Sequence, residues 1–400
     1  MYNPNLTMRI SDIIRKNKDE GIAFLSFSLP YFVYKSSSYL PKNNLPVFSF
    51  HSVKPGLLEE QFKYLKENNY DTLDSKSLSE IITRKKKGKR NSVVLTFDDG
   101  RKSLWTTAYP LLKKYNFKAI SFIVPSIIKE KEAKSPTLEA VWAGKLSLKD
   151  IENIESEIPL CNWNEINEMH KSGLVDFQSH SLFHASVFTE RTLVDFLNPE
   201  FKPSFLNSTL NPLISIDAND ALLKNNQYGF PIYKWDSNLT AETRYICNEN
   251  ISSACVEYVK QHGGEEFFKN PNWRKELKSF YTRMEKKYGA GSFQSYEKRK
   301  SDIKNDLSRA KSIIEKRLNK TVTHLCLPWY FGNELTVKLA KETGYESIYW
   351  GIKNKKSTNF IGDDPFYIKR INDYYIFSLP GKNRISLERQ ILNKVKNRYY

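Results

Sequence analysis

The sequence of 400 residues contains only four cysteines, Cys161, Cys247, Cys255 and Cys326, and no two of them form a C-x-x-C pair. So few cysteines in a chain of this length exclude a disulfide-rich scaffold. We therefore expect reduced thiols, which is the usual state in a cytoplasm.

Long hydrophobic runs are also missing, since no stretch of about 18 uninterrupted apolar residues occurs. The apolar run 22–34 contains Pro30, is too short to span a bilayer, and is not followed by an A-x-A-like cleavage site. We expect this run to be buried, with an interfacial contact as the alternative. A cytoplasmic protein is the expectation, and peripheral membrane contact is left open.

Acidic residues are in the minority, because 45 Asp and Glu stand against 62 Lys and Arg, for a net charge of +17. Such an excess could favour nucleic acid, an anionic membrane or carrier lipid, or simply reflect solvated lysine-rich faces. No helix-turn-helix signature, zinc-finger spacing or RNA-recognition motif accompanies it. We therefore expect no nucleic-acid partner, and contact with an anionic membrane or a carrier lipid stays open.

Short apolar runs alternate with stretches of helical spacing along much of the chain. The runs are 45–50, 92–97, 119–124 and 174–179, and the clearest helical stretches are 57–70, 104–117 and 163–173. This alternation predicts an α/β fold with a parallel sheet or barrel. Functional residues in such folds follow the carboxyl ends of strands, which is where His51, Asp98, Asp99 and His180 occur.

The pattern divides the chain into three parts. Residues 1–44 form an N-terminal extension, residues 45–185 and 301–400 carry the strand and helix alternation, and residues 186–300 lack it. We interpret 186–300 as an insertion or lid subdomain. Its aromatic segment Tyr228–Trp235 could stack on sugar rings or form the core of the insertion itself.

The sequence Thr96-Phe97-Asp98-Asp99-Gly100 places two adjacent carboxylates at the end of a buried strand. Their side chains diverge, so that one can face a metal ion while the other faces a water molecule. A turn that merely closes the strand is the alternative for this motif alone.

The sequence His180-Ser181-Leu182-Phe183-His184 places two histidines four residues apart after another buried strand. At this spacing both can reach one ion, and with one aspartate they make a three-ligand site that leaves positions open for water and substrate. Surface or capping histidines are the alternative.

TFDDG followed by H-S-x-x-H resembles the first two motifs of the polysaccharide deacetylase family, carbohydrate esterase family four, with its NodB homology domain. The resemblance implies a distorted (β/α)7 barrel of the NodB type with a long insertion. It implies that Asp99, His180 and His184 hold one divalent metal ion, usually zinc, with nickel, cobalt or iron as alternatives. Asp98 would be the general base.

The third family motif normally reads Arg-x-Pro-aromatic, and here the segment Cys326–Tyr330 (CLPWY) stands in its place. Pro328 and Trp329 fit the motif, whereas the arginine that usually clamps the catalytic aspartate is missing. Arg370 could supply that charge, or could be a surface arginine. By resemblance, Pro328, Trp329, Tyr330 and Arg370 are candidate substrate-binding residues.

The late Leu-x-His motif, which usually supplies the catalytic acid, is also absent. The segment 46–53 (PVFSFHSV) resembles the strand that precedes the DDG strand in the permuted poly-N-acetylglucosamine deacetylases. His51 would then be the general acid, and a histidine satisfied at a strand end is the alternative.

The expected function is therefore metal-dependent removal of N-acetyl groups from an amino sugar in a polysaccharide, a glycolipid or a related glycan precursor, with release of acetate. An O-acetyl esterase or other amide hydrolase on the same barrel, and a non-catalytic glycan-binding descendant, are the alternatives.

Overall fold

A computed structural model describes residues 26–200, 227–386 and 389, except for the short stretches 36–38, 42, 131–132 and 352–357. The first 25 residues of the predicted N-terminal extension and residues 201–226 of the predicted insertion lie outside the described residues.

Helices and strands alternate through the first third of the described chain and again near its end. The strands are β1 (Val47–Phe50), β2 (Asp71–Thr72), β3 (Ser92–Asp99), β4 (Ala119–Ile123), β5 (Val175–Ser179), β6 (Ser186–Phe196), β7 (Pro231–Ser237), β8 (Tyr245–Ile246), β9 (Ser292–Phe293), β10 (His324–Cys326), β11 (Ser347–Trp350), β12 (Ile368–Lys369) and β13 (Ile371–Asn372). The α-helices are α1 (Tyr31–Tyr34), α2 (Pro55–Glu67), α3 (Ser75–Ile82), α4 (Tyr109–Tyr115), α5 (Leu138–Trp142), α6 (Leu148–Glu157), α7 (Trp163–Lys171), α8 (Glu249–Gln261), α9 (Trp273–Tyr288), α10 (Tyr296–Leu318) and α11 (Glu334–Glu342).

The main sheet is parallel and closes on itself. Its strand order is β12-β11-β10-β5-β4-β3-β1-β13, and β2 pairs with the start of β3 off this path. The two edge strands β12 and β13 are consecutive in the chain and are separated by Arg370 alone. The extended segment 368–372 therefore pairs with β11 on one side and with β1 on the other. Seven strand positions form a closed barrel, which confirms the predicted (β/α)7 fold.

Side chains from successive strands fill the barrel. Val94, Ile120, Phe122, Tyr349 and Ile368 belong to one buried cluster, although they come from four different strands. Near-continuous burial along β1, β3 and β4 is what a parallel strand covered on both faces requires. The apolar runs in the sequence were therefore predictive of strands.

Two details around the DDG motif differ from the sequence-based prediction. Asp98 and Asp99 are the last two residues of β3, not residues that follow it. The predicted helix after Gly100 begins as a π-helical turn, Leu104–Ala108, and continues as α4 with Pro110 in its first turn. Proline has no backbone N–H and interrupts the hydrogen bonds of an α-helix, and the change from the π-helical turn to α4 occurs directly before this residue.

The described backbone separates into two compact units, one containing the barrel strands and the other containing β6 to β9 with α8 and α9. In the second unit, β6 and β7 form one antiparallel ribbon and β8 and β9 form another. Ile232 and Tyr233 are fully buried in its core, which favours the core interpretation for this part of the aromatic segment, whereas Trp235 is exposed. The insertion boundaries 186 and 300 stay a prediction.

The apolar run near the N-terminus is described only from residue 26. Phe32 and Val33 on α1 are buried, as expected for part of that run. Among the described residues, no helix has both the length and the apolar character required to cross a membrane.

His324 at the start of β10 is buried, and its Nδ1 atom contacts the hydroxyl of Ser347 on the paired strand β11. Burial disfavours the charged imidazolium and lowers the pKa of His324 from its ordinary 6.5 to about 4. Between these two pH values the unfolded chain binds a proton that the folded chain does not.

Because the folded-state pKa is depressed, the contribution of His324 to stability is present above pH 6.5 and is lost as the pH falls toward 4. From pH 7 to pH 5 we expect roughly 2 kcal/mol of this contribution to disappear. Urea unfolding of wild type and His324→Gln at both pH values measures the difference, with the exposed His262→Gln as the control. Equal pH dependence in wild type and His324→Gln would contradict this assignment.

Candidate active site

Asp98 and Arg370 form a buried ion pair at the end of β3. The Arg370 guanidinium donates to both carboxylate oxygens, with Nη1 2.6 Å from Oδ1 and Nη2 2.9 Å from Oδ2. Nη1 also lies 3.2 Å from the hydroxyl of Thr96, and the side chains of both charged residues are at most 1% exposed. This bidentate geometry is the strong form of an arginine–carboxylate interaction.

Arg370 thus supplies the charge that the third family motif lacks. It lies between β12 and β13, and its backbone N–H donates to the carbonyl of Trp350. Arg370 is buried and its guanidinium is engaged with Asp98, which excludes the surface-arginine alternative. Its assignment to the substrate-binding residues stays a prediction.

The charges around Asp98 decide its protonation state. Burial alone would raise the pKa of Asp98, but the charge of Arg370 and its hydrogen bonds to the carboxylate oppose this effect and hold the pKa below its ordinary value. Asp98 is therefore an ionised carboxylate at neutral pH and is available as a proton acceptor.

Asp99, His180 and His184 come together as the sequence predicted. All three are buried, and each offers one ligand atom within 4.8 Å of the others. The Nε2 atom of His180 lies 3.5 Å from Oδ1 of Asp99, while its Nδ1 atom lies 2.9 Å from the carbonyl oxygen of Cys326. A proton on Nδ1, donated to that carbonyl, leaves the Nε2 lone pair facing Asp99, and histidines that bind a metal through one ring nitrogen usually donate the other ring N–H in this way.

The backbone around this cluster adopts conformations that side chains rarely permit. Asp99, Ser181 and His184 have φ angles of 69°, 67° and 51°. Such left-handed conformations of non-glycine residues cost of order 1–3 kcal/mol each and are concentrated at functional sites. Gly100 also has a positive φ of 71°, and a Cβ there would lie 3.1 Å from Ile123, so the turn after the two aspartates favours glycine.

A second set of donors, Asp98, His180 and Cys326, also lies within the same 4.8 Å limit. Both oxygens of Asp98 are already engaged by Arg370, and burial raises the pKa of the Cys326 thiol, which keeps it protonated. A neutral thiol is a poor metal ligand, since metals bind the thiolate. The set with Asp99 and two histidines therefore fits a divalent metal better.

His51 follows β1 and faces the same carboxylate. Its Nε2 atom is 3.7 Å from Oδ2 of Asp98, and its side chain is 47% exposed. Its ring also makes an edge contact with Tyr330, at a centroid distance of 6.2 Å. His51 is thus both adjacent to the buried charge and accessible to a molecule in solution.

The segment of the third motif lines this region of the barrel. Pro328 is buried, whereas Trp329 and Tyr330 are half-buried and both have left-handed backbone conformations. The Tyr330 hydroxyl lies 3.4 Å from Oγ of Ser49, and the Arg370 guanidinium lies 5.0 Å from its ring centroid. Tyr330 is therefore held beside the Asp98–Arg370 pair.

Two contributors to the site were not predicted. Arg101 donates from Nε to Oδ2 of Asp99 at 3.0 Å, and Thr96 accepts from Arg370. A basic residue directly after Asp-Asp-Gly was a possible signal for Arg101. No signal in the sequence pointed to Thr96, because its hydroxyl meets Arg370 only where the segment that closes the barrel lies near β3.

The ion pair predicts a large cost for removing one partner. Arg370→Gln leaves the Asp98 carboxylate buried without its countercharge, so we expect a loss of about 3–5 kcal/mol in the free energy of unfolding. Adding Asp98→Asn removes the stranded charge and should recover part of the loss. Urea unfolding measures both, with the exposed Arg191→Gln as the control.

If Arg370→Gln had the same free energy of unfolding as the wild type, this result would contradict the buried ion pair. Strictly additive losses in the double variant would contradict the coupling of these two residues.

Part of the sequence matches a known protein family, and the chain resembles several solved structures. Residues 85–203 match the family model described as polysaccharide deacetylase. The Bacillus subtilis (strain 168) protein YxkH, which carries a polysaccharide deacetylase name, is 37% identical over 95 residues, which are 22% of this chain and 34% of that protein. A poly-beta-1,6-N-acetyl-D-glucosamine N-deacetylase of Staphylococcus aureus (strain MSSA476) is 30% identical over 133 residues, 33% of this chain and 37% of that protein.

The matched region thus spans about a third of the length of these curated relatives. Similar solved structures include a de-N-acetylase from Aggregatibacter actinomycetemcomitans, with a TM-score of 0.49 and 18% identity, covering 88% of this chain and 99% of that one. The BpsB deacetylase domain from Bordetella bronchiseptica has a TM-score of 0.49 and 15% identity, covering 82% and 96%. The resemblance to the polysaccharide deacetylase family is therefore confirmed over residues 85–203, the stretch that contains both sequence motifs.

Proposed function

We propose that this protein is a metal-dependent hydrolase that removes N-acetyl groups from an amino sugar of a glycan and releases acetate. The observation that supports it most is the close placement of two groups with different chemistry. A three-donor cluster suited to a divalent metal lies beside a buried, ionised carboxylate that does not need to belong to that cluster. The family match over the same residues points to deacetylation.

The donor set fits a catalytic metal site. Asp99, His180 and His184 would hold the ion, and three protein ligands leave a position open for water and substrate. When bound, a divalent metal such as zinc, nickel, cobalt or iron lowers the pKa of a water molecule and polarises the acetyl carbonyl. The identity of the ion is part of the proposal.

Asp98 would act as the general base. It is ionised because Arg370 compensates its charge, and it is adjacent in the chain to the proposed ligand Asp99. A proton removed from the attacking water would be held on an Asp98 oxygen. Arg370 touches no reacting atom in this scheme and acts by holding Asp98 in one orientation.

His51 would act as the general acid. An amide nitrogen is a poor leaving group until it is protonated, so a donor must reach it from the solvent-accessible side. His51 is half-exposed and its Nε2 atom lies 3.7 Å from Oδ2 of Asp98, so its ring stands on the solvent-accessible side of the proposed base. Transfer of a proton from this ring to the nitrogen accompanies cleavage of the C–N bond and gives a free amine.

The substrate is proposed as an N-acetylated amino sugar, with Pro328, Trp329 and Tyr330 beside its sugar ring. The named activity of the Staphylococcus aureus relative supports a β-linked N-acetylglucosamine polymer. A glycolipid or other glycan precursor would follow if the protein is cytoplasmic, a location that stays a prediction. The half-buried faces of Trp329 and Tyr330 suit either substrate.

Asp98→Asn tests the proposal most sharply. Asparagine keeps the shape of the side chain but cannot accept the proton, so we expect acetate release to fall by at least about a hundredfold. Metal content should stay close to that of wild type, because Asp98 is not among the proposed ligands. Acetate released from N-acetylglucosamine oligomers, measured with elemental analysis of the same samples, gives both quantities.

Asp71→Asn, an exposed aspartate on β2, is the matched control and should keep wild-type activity. Substantial activity in Asp98→Asn would remove the general-base assignment. Release of acetate from O-acetyl but not N-acetyl substrates by the wild type would make the protein an esterase on the same barrel.

A further inference from the structure

A basic pocket lies in the loops that lead into the barrel strands. A cavity of about 370 Å³ is lined by four cationic side chains, those of Arg84, Lys86, Lys87 and Arg90, with Asn43, Gly88 and Ile361. No carboxylate is among these lining residues. We call the four cations and their immediate surroundings the basic pocket.

The charges of this pocket are largely uncompensated within the described residues. Arg84, Lys87 and Arg90 form no ion pair within 4.0 Å there, and Lys86 reaches Glu80 only at 4.0 Å. All four side chains are exposed. A concentration of unpaired positive charge around one cavity selects an anionic ligand, and phosphate groups match several lysines and arginines at once.

Two exposed aromatic rings flank the pocket. Tyr39 is 53% exposed, and the Arg90 guanidinium lies 4.9 Å from its ring centroid. Phe360 is 43% exposed and directly precedes Ile361 of the pocket lining. Cations beside exposed rings are typical of surfaces that meet lipid headgroups, where the rings enter the interface and the cations contact phosphate.

The pocket and the candidate active site lie at opposite ends of the barrel. The loop with the four cations ends at the first residue of β3, whereas Asp98 and Asp99 are the last two residues of that strand. Eight residues of a parallel strand span roughly 25 Å. A ligand in the pocket would therefore leave the active-site end free.

We propose that the basic pocket, with Tyr39 and Phe360, docks this protein on an anionic phospholipid surface and orients the active site away from the bilayer. The proposal concerns binding alone and does not depend on deacetylase activity. We favour a membrane over nucleic acid because the sequence carries no nucleic-acid-binding motif.

Co-sedimentation of the full-length chain with vesicles tests this docking. One set of vesicles contains phosphatidylcholine alone, and the other contains phosphatidylcholine with phosphatidylserine. We expect binding to the anionic set, and we expect Lys86→Glu/Lys87→Glu to weaken it by at least about tenfold. The control Lys286→Glu/Lys287→Glu changes the same charge at two adjacent exposed lysines on α9 and should leave most binding intact.

If both double variants weakened vesicle binding equally, the effect would be one of net charge, and the proposal would be overturned. Equal binding to the two vesicle sets, or no binding to either, would also overturn it. Binding of inorganic phosphate that is lost in Lys86→Glu/Lys87→Glu, without binding to either vesicle set, would assign the pocket to free phosphate instead. Binding of a 20-nucleotide RNA that distinguishes the same two variants, without vesicle binding, would assign it to nucleic acid. Tyr39→Ala separates the ring contribution, since it should weaken vesicle binding without changing the charge.

Discussion

The pairing of Arg370 with Asp98 is the interaction on which the rest of the site depends. A carboxylate on a side chain that is 1% exposed would be protonated or destabilising without a countercharge. Arg370 provides that charge from the segment 368–372, which pairs with β11 on one side and with β1 on the other. Closure of the barrel and ionisation of Asp98 are therefore consequences of the same five residues, 368–372.

The end of β3 also contributes Asp99 to the cluster of possible metal ligands. Asp98 and Asp99 are consecutive, yet one faces Arg370 and the other faces His180. The two side chains diverge because successive residues of a strand point to opposite faces. The backbone is left-handed at Asp99, where the strand ends, and at Ser181 and His184 in the two-histidine loop. The strain is held by the buried strands on either side, which is the usual relation between a rigid scaffold and a functional loop.

Much of this arrangement could be predicted because its signals are local. Asp98, Asp99, His180 and His184 occur in short motifs at the ends of apolar runs, and parallel strands bring such ends together. The partner of Asp98 could not be derived in the same way. Arg370 is 272 residues away in the sequence, and only closure of the sheet brings it to β3.

Other features were hidden for related reasons. The aromatic segment of the second unit could stack on sugars or fill a core, and only the packing of Tyr233 against Phe188 and Tyr281 distinguishes the two. The basic run after α3 did not predict a pocket, because Asn43 and Ile361 complete the pocket lining from distant parts of the chain. Hydrophobic periodicity in the sequence identifies helices and strands, whereas the contacts between them depend on the topology of the fold.

The metal content of the purified protein tests most directly whether Asp99, His180 and His184 form a metal site. Elemental analysis of purified wild type, His184→Ala and the exposed control His262→Ala should show one divalent ion per chain in the first and third proteins and its loss in the second. Absence of metal from the wild type after incubation with zinc, nickel or cobalt, or full retention in His184→Ala, would contradict the account.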